Sequence, residues 1–148
     1  MSTFENLKSG GRYAGGSVTL TDEHQELVAT LGGYTHPLFT DPVYVREQSP
    51  FSSALVPGEL TLFLLGGLAE QSGLFGDDVV ALVGIDEVRF PSAALIGDTI
   101  TLEMEVGSHD RGAGRSTGTI ILHWRASRQT GEEVLTCVVT MLVREQRT

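Results

Sequence analysis

Hydrophobic and polar positions in the first part of the chain predict a short strand followed by a helix. Residues 12–20 are mixed in character and end in Val-Thr-Leu, a run typical of a strand. Thr21 comes next, with two acidic residues directly after it and His24 three positions on. This order is typical of a helix N-cap and first turn, and Gly32-Gly33 marks the end of the helix. The predicted apolar face of this helix consists of Leu27, Val28 and Leu31.

The next segment predicts a loop, a short helix and one long apolar helix. Residues 34–41 form the loop, fixed by Pro37, and Pro42 then opens a short helix that ends at Ser49-Pro50. A longer helix follows Pro57-Gly58 and runs to about residue 72. Its apolar side chains are Leu60, Leu62, Phe63, Leu64, Leu65, Leu68 and Ala69. Because they surround most of the circumference, we expect a central helix wrapped by other structure.

The second half of the chain predicts strands only. Four segments are rich in Val, Ile, Thr and Leu, and several of them alternate apolar with polar residues. They are residues 79–90, 98–106, 116–126 and 132–143. The turns between them are too short for crossover helices, so consecutive strands must run antiparallel. The pattern predicts an α+β protein with one long antiparallel sheet around one buried helix.

Size and charge narrow the range of functions. The chain has 148 residues, enough for one hydrophobic core, and 41% of them are apolar. Nineteen acidic residues against ten basic ones give a net charge of −9, without a cluster of Lys or Arg. We therefore do not expect the protein to bind nucleic acid or an anionic membrane, since both need cations that neutralise phosphate.

The single cysteine and the lengths of the apolar stretches indicate the cellular compartment of the protein. Cys137 lies in an apolar run over residues 134–143 and has no second cysteine for a disulfide or a thiolate metal site. We therefore expect a buried, unreactive thiol. The first eight residues lack the basic and apolar regions of a signal peptide, and the longest apolar stretch, residues 60–69, is shorter than a bilayer span. These features predict a soluble cytoplasmic protein.

Several short motifs occur in order along nearly the whole chain. They are Phe4-Glu-Asn-Leu-Lys, Gly11-Arg-Tyr, Val18-Thr-Leu-Thr, Gly33-x-x-x-Pro-Leu-x-Thr-Asp-Pro, Pro57-Gly58, Arg89-Phe90-Pro91 and Gly97-Asp98-Thr99. This series resembles the MaoC-like hydratases, a family with the hotdog fold. The resemblance implies that residues 1–148 form one hotdog domain, in which a long antiparallel sheet wraps around a central helix.

One loop departs from the family's pattern. In the family it reads Gly-Asp-x-Asn-Pro-x-His-x-Asp, and its Asp and His add or remove water across the 2,3-bond of an acyl thioester. Here the loop reads Gly33-Tyr-Thr-His-Pro-Leu-Phe-Thr-Asp. Aligned on the proline, Tyr34 stands at the catalytic Asp position, Phe39 at the catalytic His position, and His36 at the Asn position. The resemblance thus implies the scaffold without the standard acid–base pair.

Three side chains are candidates for a different acid–base set. Histidine is the one residue type whose unperturbed pKa lies near neutral pH, which makes His36 a candidate acid or base. Alternatively, the His36 side chain takes the relatives' Asn role and holds the loop by a hydrogen bond to the backbone. Tyr34 can donate a proton or a hydrogen bond from its phenol, or line the acyl tunnel as an aromatic wall. Glu59, in the first turn of the central helix, can act as base or nucleophile, or simply face solvent as a partner of the helix dipole.

Four further residues are predicted to bind the substrate. The Gly58 amide is a candidate oxyanion donor at the start of the central helix. Thr61 corresponds to a small hydroxyl residue that touches the site in relatives, and Phe39 has no proton to move and can only shape the pocket. Phe90 completes the set. Asp41 is instead expected to cap the helix that begins at the next residue.

The resemblance implies an enzyme, a hydro-lyase that acts on 2-enoyl or 3-hydroxyacyl thioesters of CoA or an acyl carrier protein. Two alternatives stay open: a thioesterase that uses Glu59, and a catalytically silent subunit that binds the acyl thioester or pairs with an active homologue. A homodimer or higher homo-oligomer is implied, paired through residues 79–83, and a heterodimer with a hotdog homologue is the other option. Neither a metal ion nor a redox cofactor is implied.

Overall fold

The computed structural model describes residues 3–112 and 116–145. The helices in these ranges are α1 (Thr3–Asn6), α2 (Asp22–Gly32), α3 (Pro37–Thr40), α4 (Pro42–Gln48) and α5 (Gly58–Gln71). The strands are β1 (Arg12–Thr19), β2 (Val79–Arg89), β3 (Thr99–Arg111), β4 (Thr117–Ser127) and β5 (Glu133–Arg144), and a 3-10 turn at Gly76–Asp78 leads into β2. None of the helices in the two ranges is long and apolar enough to cross a bilayer.

The five strands form one antiparallel sheet in the order β1-β3-β4-β5-β2. Alternate residues of β3 and β4 are buried, which is the pattern of a sheet with one face on a hydrophobic core. Leu102 of β3 and Leu122 of β4 are fully buried in the same core as Leu65 of α5. The predicted α+β class, with a long antiparallel sheet packed around one helix, is therefore confirmed.

Two predicted segments differ from the structure. The prediction ended β3 at residue 106, whereas β3 continues past a bulge just before Ser108 and keeps its pairing with β4. A bulge adds a residue and a local bend without ending the strand. Residues 34–41 were predicted as an irregular loop, but they contain α3. Pro37 provides the fixed φ of a first helical residue, and His36 caps it.

Helix α2 buries a different face from the one predicted. Gln25 and Val28, three positions apart, are its buried residues, whereas Leu27 is 59% exposed and Leu31 is 88% exposed. Residues three apart share one face of a helix. The prediction of an apolar face on Leu27 and Leu31 is therefore wrong, and a polar glutamine occupies the stripe that faces the core.

Helix α5 is covered on most of its circumference but not on all of it, and Leu60, Leu62 and Leu64 are partly buried against the core. Its buried residues are Thr61, Leu65, Leu68 and Ala69, which follow the spacing of one helical face. On another side Phe63 is 77% exposed. The predicted central helix is therefore confirmed, with the Phe63 side chain as the part that a single chain leaves exposed.

Asp98 holds the turn that precedes β3. One carboxylate oxygen accepts hydrogen bonds from Arg128 (2.8 Å) and Gln129 (2.9 Å), and the other accepts one from the Leu95 amide (2.9 Å). Burial by itself raises the pKa of Asp98, but these hydrogen bonds and the Arg128 charge outweigh it and hold the pKa below its usual value. An ionised, buried carboxylate therefore ties this turn to the loop after β4.

Cys137 lies on β5 with its side chain buried, as predicted. Burial raises the pKa of its thiol to about 11, so that little thiolate forms near neutral pH. We expect Cys137 to resist a disulfide-exchange reagent at about pH 8 in the folded protein and to react fully after denaturant is added. Absorbance of the released chromophore counts the modified thiols, and rapid complete labelling of the folded protein would contradict the expectation.

Candidate active site

A cavity of about 320 Å³ lies at the N-terminus of α5. Its walls come from the residue after Gly33, from α3, from the segment that precedes α5 and from the segment that follows β2. Six of the seven residues predicted from the sequence line this cavity, namely Tyr34, Phe39, Gly58, Glu59, Thr61 and Phe90. The seventh, His36, is not a lining residue.

Tyr34 reaches the cavity from the end of α2. Gly33 adopts the left-handed conformation (φ 74°) that favours glycine, and its N–H bonds the Val28 carbonyl. The Tyr34 ring packs edge-on against Phe39 with the centroids 5.4 Å apart. Burial, then hydrogen bonding to Glu59 and the negative charge of Glu59, raise the pKa of the Tyr34 phenol. The phenol is therefore protonated at neutral pH.

The first turn of α5 brings backbone donors to the same cavity. Pro57 occupies the cap position, and no side chain in the described ranges caps this helix. The first amides of a helix have no intrahelical partner, and they carry the positive end of the helix dipole. Glu59 lies in that turn with its side chain exposed. A carboxylate and a group of amides able to bind an oxyanion therefore lie side by side.

The Phe90 ring lies directly on Gly58. A Cβ at residue 58 would overlap the ring, so the ring can hold this position only because residue 58 is glycine. Phe90 is 50% exposed although it lines the cavity. Together Gly58 and Phe90 form the wall of the cavity next to the first amides of α5.

Thr61 contributes a buried hydroxyl. The residue is 2% exposed, and its Oγ1 has no hydrogen-bond partner among residues 3–112 and 116–145. Leaving a buried hydroxyl unpaired costs about 1–3 kcal/mol. Because Thr61 lines the cavity, this hydroxyl is available to a polar group of a ligand.

His36 and Asp41 both act as helix caps. The Nδ1 of His36 accepts a hydrogen bond from the Leu38 amide at 3.1 Å, and its exposed ring packs edge-on against Tyr44. Asp41 accepts hydrogen bonds from the Val43 and Tyr44 amides, which confirms the predicted cap of α4. Through this contact the His36 side chain holds the loop, which is the predicted alternative to a catalytic role.

We expect His36→Ala to lower the free energy of unfolding by about 1 kcal/mol, the usual loss when a cap residue becomes Ala. His36→Asn should retain the wild-type value, because an Asn side chain can accept the same amide hydrogen bond. Denaturant titration of the three proteins measures the difference. Equal destabilisation by Asn and Ala would contradict a capping role for the side chain.

Several residues in and behind the cavity wall were not predicted from the sequence, including Leu55, Val56 and Val134. Ser92, Ala93 and Ala94 belong to its lining, just beyond the motif that contains Phe90. Gln25 lies behind the lining and bonds the carbonyls of Phe39 and Leu55. The sequence does hold one sign of the role of Gln25. This polar residue lies three positions before Val28, on the face of α2 that packs on the core.

A larger cavity, about 440 Å³, is lined by residues of all five strands. None of the seven predicted site residues lines it. Two of its lining arginines are already in ion pairs, Arg12 with Glu105 (3.3 Å) and Arg125 with Glu133 (3.1 Å). The smaller cavity at α5 is therefore the candidate site.

Comparison with known proteins places the fold. A monoamine oxidase regulatory protein from Archaeoglobus is 28% identical, with a TM-score of 0.86 over 97% of this chain and 95% of that one. An R-hydratase from Pseudomonas aeruginosa is 18% identical, with a TM-score of 0.75 over 97% and 86%. A Mycobacterium tuberculosis protein described as having a double hotdog fold is 21% identical, with a TM-score of 0.83 over 97% and 44%. These likenesses confirm the predicted hotdog fold.

The comparison with sequence families is more specific. No curated protein matches the chain significantly. The family model described as a MaoC like domain matches residues 7–123, a range that includes every lining residue of the smaller cavity except Val134. The match thus covers most of the chain and nearly all of the candidate site. The chain belongs to the MaoC-like dehydratase family.

Proposed function

We propose that the protein is a hydro-lyase that adds water to, or removes it from, the 2,3-bond of an acyl thioester, with Tyr34 and Glu59 as its acid and base. The observation that carries the proposal is that Tyr34 and Glu59 line one cavity at the uncapped N-terminus of α5, where the Glu59 carboxylate interacts with the Tyr34 phenol. Family membership supports the reaction class. Tyr34 stands at the position of the family's catalytic Asp, whereas Glu59 comes from α5 rather than from the position of the catalytic His.

In the hydration direction, the Glu59 carboxylate takes a proton from water while the water oxygen bonds to C3 of the enoyl thioester. The π electrons of the C2–C3 double bond move towards C1, and negative charge builds up on the thioester oxygen. The amides of Gly58 and Glu59 are suited to stabilise that charge. C2 then receives the Tyr34 proton, and Glu59 returns its proton to the phenolate along their hydrogen bond. The protein ends unchanged, with one water added to the substrate.

The raised pKa of Tyr34 supports this division of roles. A phenol whose pKa lies above its ordinary value is protonated at neutral pH, so it is an acid or a hydrogen-bond donor rather than a base. The carboxylate of the pair is then the base. The buried hydroxyl of Thr61 is suited to orient the thioester or the attacking water.

Hydration of crotonyl-CoA and of longer 2-enoyl-CoAs tests the proposal. Loss of the enoyl absorbance without release of free thiol is the expected result. Thiol release is measured in parallel, with the protein kept folded so that buried Cys137 adds no signal. If the enoyl absorbance stays constant and no thiol is released while the acyl-CoA still binds, the result would contradict an enzyme and favour a catalytically silent acyl-binding subunit.

A thioesterase is the second candidate function. The specific observation in its favour is that Glu59 lies in the same helical turn as the uncapped amides. There a carboxylate can activate water against the thioester carbon, which breaks the C–S bond and releases the thiol. Release of one thiol per carboxylic acid formed, with no hydroxyacyl product, would select this function over hydration.

We propose a homodimer that pairs through β2. This strand is at the edge of the sheet, and its first part is exposed on both faces, including Val80, Leu82 and Val83. A long apolar edge strand exposes unpaired backbone donors and acceptors, which a second copy can satisfy. The exposed Phe63 ring on α5 is further apolar surface of the kind that an interface covers.

Val83→Lys is expected to weaken this dimer by about 100-fold or more, because a symmetric interface would bring two like charges together. Leu31→Lys is the matched control, since Leu31 is an exposed apolar residue that lies on α2 and not on the edge strand. Sedimentation velocity over a range of concentrations measures the dimer dissociation constant. A wild-type protein that stays monomeric, or equal weakening by both substitutions, would contradict pairing through β2.

A further inference from the structure

We infer that Gln25 is a positioning residue that sets the separation of Tyr34 and Glu59 by joining two walls of the cavity. Its side chain does not line the cavity, so it acts through the residues that do. The consequence for catalysis rests on the proposed function, whereas the geometric coupling can be tested without any turnover.

The amide of Gln25 joins two segments that are distant in sequence. Its Nε2 donates to the Phe39 carbonyl at 3.1 Å and to the Leu55 carbonyl at 2.9 Å. Phe39 is the ring against which Tyr34 packs. Leu55 lies just before Pro57 and the first turn of α5. One planar amide thus connects the wall that bears Tyr34 to the segment that leads to Glu59.

The segment that leads into α5 is also held by backbone hydrogen bonds to the segment that follows β2. The Val56 amide donates to the Ala94 carbonyl at 2.9 Å, and the Ile96 amide donates to the Ala54 carbonyl at 2.9 Å. The segment around Leu55 is therefore held between these backbone hydrogen bonds and Gln25. Apart from the bond with Gln25, the hydrogen bonds of α3 within residues 3–112 and 116–145 are local, such as that of the Phe39 amide to the His36 carbonyl. Gln25 is therefore the bond that fixes the α3 wall relative to α5.

The burial of Gln25 favours a specific role over general stability. The residue is 6% exposed, and its Oε1 is buried without a hydrogen-bond partner in the described part of the chain. An unpaired buried carbonyl oxygen is unfavourable, and an apolar side chain at this core-facing position would avoid it. What the apolar side chain cannot do is bond the two carbonyls. Proteins keep an unfavourable buried polar group mostly at functional sites, where a fixed geometry is needed.

The test is the titration of Tyr34 in Gln25→Met and Gln25→Leu, which keep most of the volume but have no donor. NMR of tyrosine labelled at Cζ follows each phenol separately, and Tyr34→Phe assigns the Tyr34 signal. We expect the titration midpoint of Tyr34 to fall towards its ordinary value in both variants, because the bond to Glu59 loosens. The signals of Tyr13 and Tyr44 should stay unchanged.

Val106→Ala is the control for lost stability alone. Val106 is a fully buried core residue on β3, and it does not line the cavity. Its variant should leave the Tyr34 midpoint unchanged. The inference is overturned if Tyr34 keeps its midpoint in the folded Gln25 variants, or if Val106→Ala shifts it as much. It is also overturned if both Gln25 variants fail to fold while Val106→Ala folds, since Gln25 would then serve the fold itself.

Kinetics separate this inference from the proposed function. If the protein hydrates an enoyl thioester, Gln25→Met should lower kcat by about tenfold and leave KM within about twofold, as expected for misplaced catalytic groups. A wild-type protein without turnover would refute the proposed function and leave the Tyr34 titration as a valid test of the coupling. A KM effect without a kcat effect would contradict the positioning role.

Discussion

Glu59→Gln is expected to lower kcat for hydration of a 2-enoyl thioester by about 100- to 10,000-fold, the usual contribution of a positioned general base. Gln keeps the size of the side chain and can still accept the Tyr34 hydrogen bond, but it cannot take a proton from water. KM should change little, because the amides of α5 and the Thr61 hydroxyl remain in the cavity. Steady-state kinetics of the purified variant give both constants.

Glu23→Gln is the matched control for this experiment. Glu23 is also an acidic residue in the first turn of a helix, α2, and it does not line the cavity. Its variant should remain within about twofold of the wild-type kcat, the range expected when no interaction with the transition state is lost. A Glu59→Gln enzyme with equally small losses would remove Glu59 from the chemistry.

Asp98→Asn is expected to lower the free energy of unfolding at pH 7 by about 3 kcal/mol, the lower end of the range for breaking a buried ion pair. The lower end applies because Arg128 keeps a second partner, Glu132, at 3.8 Å. The free energy of unfolding of a single domain is roughly 5–15 kcal/mol, so the substitution would remove a large part of the stability. Thermal unfolding should show a fall in Tm of roughly 10 °C.

The effect of Asp98→Asn should depend on pH. Because the folded-state pKa of Asp98 lies below its usual value, its contribution is fully present above the unfolded-state pKa of about 4 and is lost as pH falls through the folded-state pKa. The difference between wild type and variant should therefore shrink in acid. Glu105→Gln, which breaks the exposed pair with Arg12, should cost less than about 1 kcal/mol. A pH-independent difference for Asp98→Asn would contradict an ionised buried carboxylate.

Much of the fold could be predicted because its signals are local. The start of α2 is an example: Thr21 and His24 exchange hydrogen bonds as a capping box, and both residues are visible in a four-residue stretch of sequence. Strand alternation likewise placed the buried positions of β3. Helix exposure was harder to predict, because periodicity identifies apolar residues such as Phe63 and Leu31 but not what covers them.

The candidate site was only partly predictable from the sequence. A resemblance to a known loop located Tyr34 and Phe39, and the helix start located Glu59. Which of these groups touch each other depends on contacts between distant segments, which one sequence does not reveal. Gln25 shows the difficulty, since its two acceptors are backbone carbonyls and backbone carbonyls leave no trace in the residue types. The contact of His36 with its neighbour's amide likewise depends on a side-chain rotamer.

The packing of Phe90 on Gly58 has a consequence for how this chain can evolve. A methyl group at residue 58 would meet the far end of a half-exposed ring, so the ring would swing outwards while the helix stays in place. The wall of the cavity can therefore be reshaped by one point mutation that leaves the core intact. Positions 58 and 90 are coupled, and a substitution at either one changes which residues the other tolerates. Divergence at this pair is a short mutational route to a cavity of different shape.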